Sequence, residues 1–229
     1  MNKISNLHYY IHNIKASVKC PNENLRDFIE KSFFFFKKKQ KYKFQININI
    51  NLSSTKSFEI LSNKINKIGN NVLLDSNKLI FQNHGLVYEF KIKEKTISIN
   101  VNKQKKNNIF SKSKNILKKI LFKIDNYSII RQSFILPVIW ALSRKFNIHA
   151  LHGGATSINK KSYIFSGLAG VGKSNLTLFM TLQKKFKFLS DNFLLFDNKF
   201  IYPFPEWIRV MDESKKIMPE LKSFFVKQN

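Results

Sequence analysis

Apolar and polar residues alternate along much of the first hundred residues, and this pattern predicts strands. The clearest case is residues 44–52, where every second residue is apolar, as in a half-buried strand. Residues 7–20 form an apolar, aromatic and β-branched run that predicts another strand. Asn83-His84-Gly85 is typical of a hairpin turn. Further strands are predicted at residues 56–61, 78–82, 86–92 and 96–101.

Two helical segments are also predicted, one within the first hundred residues and one after them. The first is predicted from residue 25 to about residue 36, with Asn22 or Asn24 available as its N-cap. Its last turn, residues 33–36, is entirely phenylalanine, which favours burial against the N-terminal sheet. The lysines that follow leave an interfacial role open. The second helical segment spans residues 115–146, and Pro137 predicts a kink or a break within it.

These elements suggest two domains of different kinds. Residues 1–101 predict a β-rich (α+β) module with one helix. Residues 102–113 are mostly Lys, Asn and Ser, with few apolar residues, and predict a linker. Residues 114–229 follow a helix, strand, Gly-rich turn, helix, strand order, which is typical of an α/β domain.

The formal net charge of +26 first suggests a nucleic-acid partner. Only Arg26, Arg131, Arg144 and Arg209 are arginine among the 40 basic residues, and the lysines accompany abundant Asn, Ile and Phe. Because these residue types share AT-rich codons, and because nucleic-acid readers favour arginine, the balance favours biased composition over a nucleic-acid surface.

Cysteine content and hydropathy narrow the cellular setting. Cys20 is the single cysteine, so the chain has no internal disulfide and a reducing compartment is predicted. We find neither a secretory leader nor 18 uninterrupted apolar residues, which predicts a cytoplasmic protein without a transmembrane segment.

One motif carries recognisable chemistry. It follows the predicted strand of residues 162–166, precedes the predicted helix of residues 175–180, and matches the phosphate-binding pattern G-x-x-x-x-G-K-[ST] without a mismatch. In such loops the glycines let backbone N–H groups face phosphates, the lysine reaches the β and γ phosphates, and the hydroxyl binds Mg²⁺. The residues are Gly167, Leu168, Ala169, Gly170, Val171, Gly172, Lys173 and Ser174.

An acid follows the motif at a distance that allows a helix and a turn between them. Asp191 ends the apolar stretch that begins at Phe188, and it is our first candidate to share a metal ion with Ser174. Asp197, after residues 193–196, is the alternative. A turn-capping role is the other interpretation of either acid.

Together with Leu151-His152-Gly153-Gly154-Ala155, these residues resemble the catalytic domain of HPr kinase/phosphorylase and its related proteins. That family shares its core with phosphoenolpyruvate carboxykinase, and the resemblance covers residues 139–210. It implies an α/β, P-loop carboxykinase-like domain that binds ATP and Mg²⁺. It further implies that His152, Lys173 and Asp191 take part in phosphoryl transfer to a serine or another hydroxyl, on a protein, a peptide or a small molecule.

Two departures from the family leave alternatives open. Asn192 occupies the position of the family's second acid, and an amide cannot act as a base. The family's catalytic domain also continues through more strands and helices than residues 114–229 supply, so we expect a domain that is short at its C-terminal end. The alternative to a kinase is a catalytically degenerate or truncated nucleotide-binding module, and a basic nucleic-acid-binding protein is the third hypothesis. A homo-oligomer is compatible with the sequence.

Overall fold

The computed structural model describes residues 5–56, 66–69, 71–75, 77–83, 85–104, 126–168, 170–183 and 185–206. The chain divides into two compact units, Met1–Leu142 and Ser143–Asn229. Each described unit combines a sheet with helices, which confirms the predicted mixture of α and β structure. Along these described ranges no helix is long and apolar enough to cross a membrane.

The first unit contains an eight-stranded mixed sheet. Its spatial order is β1-β2-β3-β8-β7-β6-β5-β4, and β3 lies parallel to both β2 and β8. Parallel neighbours need a crossover connection, which helix α1 (Glu23–Ser32) supplies between β2 and β3. The strands are β1 (Leu7–Ile11), β2 (Ile14–Lys19), β3 (Phe44–Lys56), β4 (Asn66–Gly69), β5 (Val72–Asp75), β6 (Lys78–Asn83), β7 (Leu86–Ile92) and β8 (Thr96–Gln104).

The prediction of one strand over residues 7–20 is wrong, because β1 and β2 form an antiparallel hairpin. Its two-residue loop is His12-Asn13, and both residues have positive φ, at 41° and 74°. Such loops match the twist of the flanking strands, and Asn accepts this conformation more readily than most residues. Asn13 therefore indicated a turn in the sequence, but the apolar residues on either side of it favoured one continuous strand.

Strand β3 confirms the half-buried pattern read from residues 44–52. Its inward side chains, from Phe44 to Ile50, are buried, and the intervening Gln and Asn side chains are less so. The strand continues to Lys56, so the strand predicted at residues 56–61 begins where β3 ends, and residues 57–61 lie outside the described part. Strands β6, β7 and β8 agree with prediction, whereas β4 and β5 were not predicted. His84 of the predicted turn also lies outside the described residues.

Helix α1 ends earlier than predicted. Asn22 is its N-cap, and the Asn22 Oδ1 atom accepts a hydrogen bond of 2.8 Å from Leu25 N–H. Phe33 has a non-helical φ of −121°, so the α-helix stops at Ser32 and a 3₁₀ turn, Phe34–Phe36, follows. Phe33 and Phe36 are buried, but Phe34 and Phe35 are exposed. The predicted burial of this run is therefore correct for two rings and wrong for the other two.

The second predicted helical segment remains helical through Pro137. Helix α2 (Asn126–Ile130) is followed by a π-helical segment (Arg131–Ile135) and helix α3 (Leu136–Phe146). Proline lacks the N–H that an α-helix would use, and the wider π turn just before it accommodates this loss without a break. The irregularity thus precedes Pro137. Residues 115–125 of the prediction lie outside the described residues.

The division into units differs from the predicted domain boundary. The contacts group residues 126–142 with the first unit, and the division falls within α3. The sequence instead assigned residues 114 onward to the second domain. Residues 102–104 of the predicted linker instead form the end of β8, and residues 105–113 lie outside the described residues, so the linker stays a prediction over 105–113 alone.

The second unit is built around one long strand, β9 (His149–Ile158). On one side β9 pairs with β10 (Lys161–Ser166), and on the other it pairs with β11 (Lys187–Ser190) and β12 (Phe193–Phe196). All these pairings are antiparallel, and β13 (Ile201–Tyr202) pairs with β12. Strands β10 and β11 therefore run parallel to each other with β9 between them. Helix α4 (Lys173–Leu182) connects them and contacts all three strands.

Candidate functional site

The loop between β10 and α4 takes a backbone conformation that requires glycine. Gly167, Gly170 and Gly172 have φ values of +151°, +81° and +90°. Side chains rarely accept this region, because the Cβ atom then approaches the carbonyl oxygen too closely. The spacing of the glycines in the motif thus corresponds to the positions where the chain reverses before α4.

The amine of Lys173 contacts the first residues of this loop. Its Nζ atom donates hydrogen bonds to the carbonyl oxygens of Gly167, at 2.9 Å, and of Leu168, at 2.8 Å. Lys173 is also the first residue of α4, and no side chain caps that helix end. The lysine charge and the positive end of the helix dipole therefore act at the same place, which favours an anion.

A break between β11 and β12 brings Asp191 toward this loop. The two strands follow one another along β9, and the chain leaves the sheet at Asp191 and Asn192, opposite Gly153 and Gly154. Gly153 N–H donates to Asn192 O at 3.2 Å. The Ser190 hydroxyl lies within hydrogen-bonding distance of two carbonyl oxygens, Phe193 O at 2.6 Å and Phe204 O at 3.2 Å. It has one proton to donate, which the two oxygens share. These bonds fix the turn that presents Asp191.

Gly153 and Gly154 allow β9 to lie very close to its neighbours. A Cβ atom on Gly153 would lie 2.8 Å from Phe165 O, and one on Gly154 would overlap Thr177 Oγ1. The same Cβ on Gly154 would lie 3.5 Å from Asp191 Oδ1. Thr177 itself is fully buried on α4 and donates from Oγ1 to Lys173 O at 3.0 Å. The glycine pair thus sets the distance between β9, the first turn of α4 and Asp191.

Asp191 is buried, at 8% exposure, and its environment acts on its charge in opposing ways. Burial raises the pKa of the Asp191 carboxyl above its usual value, because water no longer solvates the carboxylate. A hydrogen bond with the Ser174 side chain and the charges of His152 and Lys173 oppose this rise. Oxygen Oδ1 has no hydrogen-bond partner. A buried carboxylate oxygen without a donor is costly unless a cation or a donor reaches it.

His152 is held by the same turn. Its Nδ1 atom lies 3.1 Å from Asn192 O. A carbonyl oxygen can only accept, so Nδ1 carries the proton in this arrangement. Nε2 is then the ring nitrogen available for proton exchange with a bound group. His152 is exposed at the end of the β9 segment that pairs with β12.

The structure brings His152, Lys173, Ser174 and Asp191 into one neighbourhood, as the interactions of the Asp191 carboxyl show. The apolar loop residues Leu168 and Val171 are exposed. Ala169 lies outside the described residues. The roles assigned to these residues stay predictions.

Asp197, the alternative acid, lies in the turn before β13. Its Oδ2 atom accepts from the Tyr202 hydroxyl at 2.6 Å, and its Oδ1 atom accepts from Lys199 and Phe200 N–H groups at 2.8 and 2.7 Å. These bonds lower the pKa of the Asp197 carboxyl. The geometry is that of a turn-capping residue, which the sequence analysis gave as the other interpretation.

Sequence reasoning missed Thr177, Ser190 and the whole of strand β9. Strand β9 was not predicted because two adjacent glycines lower the strand propensity at its centre. Glycine within a strand also signals close backbone approach, and this signal was present at Gly153 and Gly154. Thr177 and Ser190 carried no signal, because their roles depend on contacts across elements.

The donors near the loop suit a small hard cation. Ser174 offers a hydroxyl and Asp191 a buried carboxylate, and oxygen is the ligand that Mg²⁺ prefers. Among the residues that the structure describes, no group of three or more His, Cys, Asp and Glu side chains could hold a metal ion. Two protein oxygens would be enough for a Mg²⁺ ion whose other ligands are nucleotide phosphates and water.

Comparison of the chain with models of protein families, with curated proteins and with solved structures finds no match. The resemblance to HPr kinase-related proteins therefore depends on the motif residues and their spacing.

Proposed function

We propose that the second unit binds ATP with Mg²⁺ at residues 167–174 and transfers the γ-phosphoryl group to a hydroxyl acceptor. The observation that carries this proposal is the position of buried Asp191 beside Ser174 and Lys173 at the start of α4. These residues come from two separate parts of the sequence, and each contributes a group that phosphoryl transfer uses. By resemblance the acceptor is a serine of a protein or peptide, or a small molecule, in the cytoplasm.

The loop would hold the phosphates through its backbone and Lys173. Three glycines with positive φ let successive N–H groups face inward, and the α4 N-terminus adds partial positive charge. Lys173 Nζ now donates to two loop carbonyls, and a phosphate oxygen would be a stronger, charge-assisted acceptor. We expect the amine to exchange at least one carbonyl for the γ-phosphate when the nucleotide binds.

Ser174 and Asp191 would hold the Mg²⁺ ion. When bound, the ion neutralises charge on the β- and γ-phosphate oxygens. The unpartnered Oδ1 of Asp191 supports this assignment, because a cation would satisfy that buried oxygen. The interaction of Ser174 with the Asp191 carboxyl supports the same assignment, because two residues this close could share one ion.

In the transfer step the acceptor oxygen forms a bond to the γ-phosphorus as the bond from phosphorus to the β-bridging oxygen breaks. The acceptor proton goes to a base, and ADP leaves with the released electron pair. His152 Nε2 and Asp191 are the two described groups in this neighbourhood that can accept the proton. Asn192 cannot, so this chain would depend on positioning and charge stabilisation more than on base strength.

The strand pairing around β9 differs from that of a doubly wound nucleotide-binding fold. Strand β10, the loop, α4 and β11 form a β-α-β unit whose parallel strands are separated by antiparallel β9. In the commoner nucleotide-binding arrangement the sheet is mostly parallel. This sheet therefore does not favour a doubly wound fold, and we propose the carboxykinase-like domain on the resemblance of the motif residues alone.

A second candidate function is nucleotide binding without transfer. Asn192 favours it, because the amide replaces the acid that serves as base in the family that the motif resembles. The phosphate loop and the Ser174 and Asp191 pair would still bind the Mg²⁺ nucleotide. Such a unit would couple nucleotide binding to another event instead of performing chemistry.

Release of ADP from Mg-ATP distinguishes the two functions. We expect wild type with a hydroxyl acceptor mixture to release ADP, Lys173→Ala to release none, and Asn192→Asp to release it faster. A matched control is Lys161→Ala, which removes one exposed lysine from β10 and should match wild type. Binding without ADP release by wild type, together with release by Asn192→Asp, would establish the binding-only function. Release that is insensitive to Lys173→Ala would contradict both.

A further inference from the structure

Two phenylalanine rings project from the first unit into solvent. After α1, the 3₁₀ turn exposes 54% of Phe34 and 58% of Phe35. The two ring centroids are 3.7 Å apart with an interplanar angle of 36°, so the rings form one apolar projection. We call Phe34 and Phe35 the diphenylalanine tip. Exposure of two adjacent large aromatic side chains costs solvation free energy and suggests a partner surface.

The residues on both sides of the diphenylalanine tip are fixed in the core. The Phe33 ring is 1% exposed and lies 4.2 Å from the Phe134 ring and 5.9 Å from the Tyr9 ring, measured between centroids. Phe36 is buried beside His12. Backbone hydrogen bonds from Phe36 N–H to Phe33 O, at 3.0 Å, and from Lys37 N–H to Phe34 O, at 3.2 Å, close the turn. The tip is therefore a fixed feature of the fold.

A basic segment follows the tip directly. Its five lysines are all exposed, and the sequence has no acid between Lys31 and Phe58. One of them, Lys37, contacts Glu30 at 3.1 Å. The exposed Tyr42 ring lies near Lys15 and Tyr10, and it adds an amphipathic aromatic group at the end of the segment. We call Lys37, Lys38, Lys39, Lys41 and Lys43 the basic segment.

We propose that the diphenylalanine tip and the basic segment bind the surface of an anionic lipid bilayer. An apolar projection that enters the acyl boundary beside lysines that meet anionic headgroups is the combination that peripheral membrane attachment requires. This inference is independent of the proposed nucleotide site, since all its residues lie in the first unit.

The geometry favours a membrane over single-stranded nucleic acid. Bases stack on open aromatic faces, whereas Phe34 and Phe35 lie against each other and each covers part of its neighbour's face. Arginine, which nucleic-acid sites favour, does not occur in residues 27–130. Lysine suits lipid headgroups because it acts as a compact charge without fixed geometry.

Flotation of the full chain with lipid vesicles tests the proposal. Wild type should float with vesicles of phosphatidylcholine and phosphatidylserine, and far less with phosphatidylcholine alone. Phe34→Ser/Phe35→Ser should lower the partition coefficient about tenfold or more, because the apolar contribution is lost. Lys38→Gln/Lys39→Gln/Lys41→Gln should lower it roughly a hundredfold, from about fivefold for each lysine near the surface.

Two control variants make changes of the same kinds on the second unit. Phe200→Ser removes one phenylalanine that is 63% exposed and that follows a single lysine, Lys199, in the sequence. Lys161→Gln/Lys187→Gln/Lys199→Gln removes the same number of exposed lysines. Both should retain wild-type flotation. Circular dichroism of every variant should match wild type, because all the altered side chains are exposed.

Three outcomes would overturn the proposal. The first is that wild type does not float with the anionic vesicles. The second is that the control variants lose flotation as much as the tip and segment variants do, which would mean attraction by net charge alone. The third is that wild type binds a single-stranded oligonucleotide with an affinity that the segment variant loses, while the tip variant keeps both oligonucleotide binding and flotation.

Discussion

At the residue scale, burial of the Asp191 carboxyl links the candidate site to protein stability. Its raised pKa means that the folded chain binds this proton more tightly than the unfolded chain, whose Asp value is 3.8. The stabilising effect of the proton is complete below that value and is lost as pH rises from it toward the folded pKa. At neutral pH the charged carboxyl therefore destabilises the fold.

We expect Asp191→Asn to raise the melting temperature near neutral pH and to change it little below about pH 3, where the carboxyl is mostly protonated in both the folded and the unfolded wild-type chain. Thermal unfolding followed by circular dichroism across this range measures the difference. Asp197→Asn is a control of opposite sign, because the hydrogen bonds at that turn lower the Asp197 pKa. The charged Asp197 carboxylate therefore stabilises the wild-type fold above pH 3.8, and this stabilisation is lost as pH falls through the lowered pKa of the folded chain. A less stable Asp191→Asn protein at neutral pH would contradict the conclusion that burial affects the Asp191 pKa more than Ser174, His152 and Lys173 do.

Gly154 provides a second prediction at this scale. Gly154→Ala places a methyl group against Thr177 Oγ1, so we expect a loss of about 1–3 kcal/mol in the free energy of unfolding. Thr177→Ala in the same chain removes that oxygen and should recover part of the loss, giving a non-additive pair. Urea unfolding of the two single variants and the double variant measures the coupling. Additive losses would show that the two positions do not interact.

At the element scale, the loop between β10 and α4 depends on glycine for its backbone and not for space. Gly170 has a φ of +81°, and a Cβ atom there would meet nothing within 4 Å. Gly170→Ala should therefore lower the free energy of unfolding by about 1–2 kcal/mol, and Gly170→Asn by less, because Asn tolerates this region. Urea unfolding measures both variants. Equal losses would indicate that a feature other than φ selects glycine here.

The elements also show how far sequence reasoning extends. Alternation placed β3, β6, β7 and β8 correctly, because one sheet face is buried and the pattern has period two. The hairpin was missed because His12 and Asn13, both with positive φ, reverse the chain within an apolar run. Strand β9 was missed because two adjacent glycines lower the strand propensity at its centre. The kink or break predicted at Pro137 corresponds to the π-helical segment that separates two α-helices just before this proline, although the π conformation itself is not encoded by a simple spacing.

The candidate site was more predictable than the fold around it. The phosphate loop motif states its residues, spacing and flanking elements, and Asp191 was found from the length of the intervening helix. What holds the site together was not predictable. Thr177, Ser190 and the fit of Gly154 against α4 arise from contacts between elements that are separate in sequence.

At the scale of the whole molecule, two units of different topology carry two independent proposals. In the first unit the diphenylalanine tip and the basic segment lie in the connection between α1 and β3, and in the second unit the phosphate loop connects β10 to α4. A chain with both properties would perform nucleotide chemistry at a membrane surface. Either property can fail without the other, since no residue is shared between them.

Calorimetric titration of the full chain with Mg-ATP measures whether residues 167–174 and Asp191 bind a Mg²⁺ nucleotide. We predict saturable binding to wild type and to the Lys161→Ala control, loss of binding in Lys173→Ala, and weaker but measurable binding in Asp191→Asn. Omission of Mg²⁺ should weaken binding to wild type and have less effect on Asp191→Asn. A folded wild-type chain that gives no heat of binding, or binding that survives Lys173→Ala, would contradict the account.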